Sequence, residues 1–124
     1  MLTKLFTHMI RQGALSLDHF PVGCLVSGSG RQILYCNKFL EEHYGYAEHE
    51  LVGADLFTLL SRASQIMYDS YLLPLVMREG YCDEIRLSFV TRQGESRPTV
   101  VSLRLDDSDR GRIFWSIGNA IRSE

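Results

Sequence analysis

No CxxC pair, HExxH run, GxSxG elbow, P-loop or dinucleotide glycine fingerprint occurs in this chain. Each of those spacings marks a metal site, a hydrolytic nucleophile or a phosphate cradle, so the familiar enzyme classes built on them have no foothold here. Cysteine is scarce: Cys24, Cys36 and Cys82 are odd in number and far apart, which argues against both a zinc site and a disulfide framework. Cys24 and Cys36 fall in predicted strands and read as small buried hydrophobes. No apolar run reaches the roughly 20 residues that a membrane span needs. The opening MLTKLFTHMIRQG also lacks the apolar core of a signal peptide. The expected location is therefore cytoplasmic, with no membrane contact by this segment. An excess of either charge is missing too: the net charge is −2, which gives no electrostatic case for nucleic acid.

What is present suits one domain. A chain of 124 residues can bury roughly two-thirds of its unfolded surface and needs no staples. Leu2, Leu5, Phe6, Met9 and Ile10 recur at helical spacing, with Lys4, Thr7, His8 and Arg11 between them. This predicts an amphipathic helix ending near Gly13, within a flank that spans residues 1–14. Alone such a helix is marginal, so its stripe must cover its own sheet, pair with a second chain, or do both.

Residues 22–27 read as a first strand, and Gly28-Ser29-Gly30 as a hairpin turn into Ile33-Leu34-Tyr35-Cys36. Asn37 suits the N-cap of a short helix. Phe39, Leu40 and Tyr44 face the core from it, and Gly45 stops it. One more helical turn fits between Glu48 and Val52, closed by Gly53. Ser61 or Ser64 can cap a longer helix reaching about Met77, which Pro74 should kink or end. Strands follow over residues 84–92, 98–105 and 112–121. In the first, Ile85, Leu87 and Phe89 alternate with Glu84, Arg86 and Ser88. Arg92-Gln93-Gly94-Glu95 forms the intervening turn. In the last, Ile113, Trp115, Ile117 and Ile121 share one face, while Phe114, Ser116, Gly118 and Ala120 share the other. Both faces call for cover.

The ordered set Asn37, Gly45-Tyr46, Glu50-Leu51 and Gly53, with the hairpin around Gly94, resembles a PAS domain, the sensory-box module of bacterial signalling proteins. The resemblance covers residues 15–122. It implies an α+β fold: a five-stranded antiparallel sheet with short helices and one longer helix on one face, here with the N-terminal amphipathic helix added. SQIMYDSYLLPLVMREG is similar to PAS domains that precede diguanylate cyclase and phosphatase output domains. Asn119-Ala120-Ile121-Arg122 is similar to the Asp-Ile-Thr exit of the family, with Asn119 in place of the acidic residue.

The same resemblance implies a non-enzymatic sensory and dimerisation module that reports to a C-terminal output domain such as a diguanylate cyclase. A ligand-free interaction module is the alternative. Flavin is not expected, because Ser61-Arg62-Ala63-Ser64 stands where flavin-binding relatives carry a reactive cysteine. Haem is not expected either, because residues 64–77 contain no axial histidine, and Tyr68 and Tyr71 read as core. Cys82 reads as a bystander rather than a chromophore or redox thiol. An unidentified small ligand remains open. A pocket for it would be lined by Phe39, Leu40, Tyr44, Met67, Tyr71, Leu72, Leu75, Ile85, Leu87, Phe89, Val101 and Leu103, or these side chains simply fill the core. Tyr44, Met67 and Tyr71 stand out as the polar and adaptable members. A homodimer would use Leu2, Leu5, Phe6, Met9 and Ile10 of the helix with Ile113, Trp115 and Ile117 of the last strand. No catalytic or metal-binding residues are expected. Asp106, Asp107 and Asp109 read as a solvated loop, and His8, His19, His43 and His49 as surface or capping groups.

Overall fold

A computed structural model describes residues 2–13, 15–106, 108 and 111–119, without the side chains of Leu2, Thr3, Phe6 and Ile10. The expected contacts of those side chains, and the roles given to Asp107, Asp109, Ala120, Ile121 and Arg122, lie outside the described residues. Helix α1 spans Leu2–Arg11, β1 Gly23–Ser27, β2 Ile33–Cys36, α2 Lys38–Tyr44 and α3 Glu48–Leu51. Helix α4 (Arg62–Met67) runs through a π-helical turn, Tyr68–Leu72, into α5 (Leu73–Glu79). Strands β3 (Tyr81–Val90), β4 (Ser96–Leu105) and β5 (Ile113–Ile117) complete the chain. All pairings are antiparallel in the order β2-β1-β5-β4-β3, so the strands from the two ends of the chain meet at the centre of the sheet.

The turns follow the sequence closely. Gly45 (φ 82°) and Gly80 (φ 85°) end α2 and α5 in the left-handed region that glycine enters without steric cost. At the N-terminus of α2, Asn37 departs from its expected role. It sits at the cap position but makes no capping bond. Its amide is spent sideways: Oδ1 accepts from Cys24 N at 2.9 Å, and Nδ2 donates to the Leu17 and Val22 carbonyls at 3.1 and 2.9 Å. The helix end is served instead by Asp18, whose Oδ1 accepts from Lys38 N at 2.7 Å. A buried amide with four possible bonds does more as a clasp across three backbone groups than as a cap.

The long helix departs in a second way. Leu73 N donates to Tyr68 O, five residues back, which defines the π turn. Pro74 has no N–H to give to the preceding turn, so the break lies just upstream of it. The extra residue changes the helical phase. Ser64, Tyr68, Leu72 and Val76 are buried at a spacing of four, and Met67 and Tyr71 rotate to the surface. In β3, a bulge between Cys82 and Ile85 places Glu84 at φ 56°. The last strand is shorter than expected, ending at Ile117 rather than continuing to residue 121.

The core lies between the sheet and the helices of residues 38–79. Leu25, Ile33, Leu40, Leu51, Leu56, Leu59, Leu72, Leu87, Phe89, Val101, Leu103 and Ile117 form one continuous cluster with Tyr44, Tyr68 and Trp115.

Candidate functional site

Of the side chains expected to line an internal pocket, Phe39, Leu40, Tyr44, Leu72, Leu87, Phe89, Val101 and Leu103 are brought together and buried, and Leu75 and Ile85 pack at the margin. Met67 and Tyr71 are not part of it. Tyr71 is 53% exposed, because the π turn carries it around the helix. The rings of Tyr44 and Phe89 meet at 5.6 Å, so this part of the core is filled by its own side chains. Tyr44 lies beside Thr99, and burial pushes its phenol up from its ordinary value. Thr99 Oγ1 in turn donates to the Gly118 carbonyl at 2.6 Å, where the chain leaves β5.

The strand face expected to form a dimer interface proves to be the inner one. Trp115 is 3% exposed and stacks on Tyr68 at 5.6 Å. Ile113 and Ile117 are buried beside it. Trp115 lies opposite Leu25 on one side and Leu103 on the other, and this register turns the whole 113/115/117 set inward. The outer face presents Phe114, 43% exposed, with Val100, Ser102, Arg104 and Ser116. On α1, Leu5 is exposed and Met9 half-buried.

Sequence reasoning did not single out a polar centre beneath the turn between β1 and β2. Ser27, fully buried, accepts from Trp115 Nε1 at 3.0 Å. It also lies beside the Tyr68 phenol. Burial raises the Tyr68 phenol to about 12, against the opposing effect of the Ser27 hydroxyl. Above this centre is a recess of about 140 Å³ lined by Gly28, Ser29, Arg31, Tyr68, Leu73, Met77, Gly111 and Ile113. Arg31, in the left-handed region at φ 66°, stands at its lip. Its guanidinium bonds Asp55 at 3.1 Å, approaches Asp69 at 3.7 Å and lies 3.9 Å over the Phe57 ring. The one available signal was Tyr68 itself, at a spacing of four from Ser64 and Leu72.

A second, open groove is formed by Asp18, His19, Phe20, Pro21, Phe39, Glu42, His43 and Asn119. Both histidines there are occupied locally: His43 Nδ1 lies 3.0 Å from Phe39 O, and His19 Nδ1 lies 3.0 Å from Ser16 O. Among the described residues, no group of three or more His, Cys, Asp or Glu is placed to hold a metal ion. The thiols are shielded. Burial pushes Cys36 up to about 11 and raises Cys24 and Cys82 as well. Asp106 is tied to Arg112 at 2.6 Å. Among the described residues no helix is long and apolar enough to cross a membrane.

A profile of the PAS fold family matches residues 11–119. The chain is 26% identical over 86 residues to the phosphoserine phosphatase RsbP of Bacillus subtilis (strain 168), a match covering 69% of this chain and 21% of that protein. The chain therefore spans about a fifth of that relative's length. Among solved structures, the PAS domain of a protein from Colwellia psychrerythraea superposes with a TM-score of 0.79 at 16% identity, covering 91% of this chain and 97% of that one. A PAS domain from a two-component sensor histidine kinase superposes with a TM-score of 0.70 at 11% identity, covering 96% and 99%. At these identities the two structures speak to the fold.

Proposed function

This chain belongs to the PAS fold family, and from that premise we propose that it is a non-enzymatic sensory and dimerisation module that regulates an output domain elsewhere in a larger bacterial signalling protein. The family match over residues 11–119 carries the reading. The likeness to part of RsbP favours a phosphatase-type output, with a diguanylate cyclase as the alternative raised by the sequence of the long helix. The setting we propose is cytoplasmic.

The proposed dimer forms through α1 and the outer face of the sheet. Phe114 and Val100 supply exposed apolar area there, and Leu5 of α1 supplies a matching exposed side chain. A ligand-free interaction module is the second reading, favoured by the way Tyr44 and Phe89 fill the core between helices and sheet. No flavin or haem enters either reading.

Native mass spectrometry of the purified chain, set against its denatured mass, tests both. A dimer is expected, and a monomer at tens of micromolar would overturn the dimerisation part. A mass excess lost on denaturation supports ligand sensing, whereas a bare dimer favours the interaction module. Joining the module to its own output domain and measuring output activity with Phe114→Glu tests regulation. Unchanged output from a chain made monomeric would sink it.

A further inference from the structure

The segment that enters β1 and the segment that leaves β5 line one open groove. The first supplies Asp18, Phe20 and Pro21, α2 supplies Phe39 and Glu42, and the exit of β5 supplies Asn119. The groove measures about 320 Å³, about twice the roughly 150 Å³ void that admits benzene, so it has room for two large side chains. The chain is delivered to its edge by Thr99, whose Oγ1 lies 2.6 Å from the Gly118 carbonyl and 3.1 Å from the Asn119 carbonyl.

The lining sets the chemistry of the occupant. The Phe20 ring is 45% exposed beside Pro21. Asp18 and Glu42 bring two carboxylates, no Lys or Arg lines the groove, and neither acid has an ion-pair partner among the described residues. Asp18 spends one oxygen on the Lys38 N–H at 2.7 Å and keeps the other for a second donor. One aliphatic side chain and one guanidinium would satisfy such a surface, because arginine lays its stem on a ring while its fork meets carboxylates. The sequence after Asn119 reads Ala120-Ile121-Arg122, and Arg122 is the first charge past that point. Three residues span at most about 11 Å, and the arginine side chain adds its own reach. We propose that the segment after Asn119 turns into this groove, with Ile121 against Phe20 and Pro21 and Arg122 paired with Glu42 and Asp18. Docking of this kind needs no output domain, so it stands apart from the sensory reading. It fastens the exit of the sheet to α2 and to the entry of β1, and gives whatever follows the exit a fixed point of departure.

NMR of the intact chain tests this. Nuclear Overhauser contacts from the Ile121 methyl groups to the Phe20 ring are expected at every protein concentration, with nitrogen relaxation at residues 120–122 close to that of β5. Arg122→Gln should quicken hydrogen exchange at the Ile121 amide about threefold, the scale of an exposed ion pair. Glu42→Gln should act in the same direction, and adding it to Arg122→Gln should quicken exchange no further. Glu42 is exposed, so its replacement leaves the fold in place. Tail-like relaxation at residues 120–122 would overturn the docking, and so would effects of the two substitutions that simply multiply. Shifts at Phe20 and Glu42 that grow with protein concentration, with contacts between two copies, would give the groove to a second chain and equally overturn it.

Discussion

Thr99 gives its hydroxyl proton to the Gly118 carbonyl at 2.6 Å. The same hydroxyl lies beside the buried Tyr44 phenol, so a ring on α2 neighbours the point where the chain leaves the sheet. Thr99→Val keeps the shape and removes the link. It should cost about 1–3 kcal/mol, because the Gly118 carbonyl loses its hydroxyl partner. Hydrogen exchange at the Gly118 amide should also quicken. Exchange unchanged from the parent would mean that the bond does not hold the exit.

The outer sheet face and the inner one should respond to charge in different ways. Phe114→Glu is expected to give a folded monomer, read by light scattering with an unchanged circular dichroism spectrum. Trp115→Glu places a carboxylate against Tyr68 and Leu103 and should unfold the chain instead. A folded, monomeric Trp115→Glu would place the interface on the wrong face.

Asn37→Ala should destabilise the chain by about 2–4 kcal/mol, since Cys24 N and the Leu17 and Val22 carbonyls lose their common partner. Urea unfolding measures it. Asn37→Asp restores only the acceptor and should recover little. A loss below about 1 kcal/mol would show that the clasp contributes no more than an ordinary cap.

The three thiols should resist alkylation at neutral pH. With Cys36 near 11 and Cys24 and Cys82 also raised, mainly by burial, the thiolate fraction is small. Iodoacetamide followed by intact mass should label none in minutes, and all three once urea is added. Rapid labelling of Cys82 in the folded chain would reopen a redox role for it.

Acid should weaken the fold through Glu50 and Asp55. Glu50 is held below its ordinary range first by the Ala47 N–H and then by Arg92, and Asp55 first by Arg31 and then by the Phe57 N–H. A depressed carboxylate adds stability above its unfolded value, about 4, and that stability is lost as pH falls through the folded value. The thermal midpoint should therefore hold above about pH 5 and drop below about pH 4. The drop should be smaller in a Glu50→Gln, Asp55→Asn chain. An equal drop in that double variant would assign the acid sensitivity elsewhere.

The succession of strands and short helices along the chain and the Gly45 stop were legible in the sequence, because alternation and punctuation act locally: Leu87 and Phe89 point inward, and Gly45 ends its helix as its position implies. What was not legible depended on phase and on distant partners. A helical wheel assumes a constant turn, so it placed Tyr71 inside, and one π turn moved it out. Alternation separated Trp115 from Phe114 but could not say which face was the inner one. That was decided by pairing with Leu25 and Leu103, many residues away. Asn37 had the right position for a cap and another use, because Leu17 and Val22 arrive there only in three dimensions.

The bulge in β3 has a consequence for how chains of this kind can meet. An open strand edge invites another strand, and a sheet that can be extended can also aggregate. Here β3 is interrupted at Glu84, flanked by the charges of Asp83 and Arg86, and met further along by Ser61, whose N–H donates to Ser88 O at 3.0 Å. At the opposite border, Ile33 exchanges backbone hydrogen bonds with Gly53 and Ala54 at 2.7 and 2.8 Å. Growth by strand addition is thereby discouraged at both borders, which leaves the broad surface bearing Phe114 for the dimer proposed above.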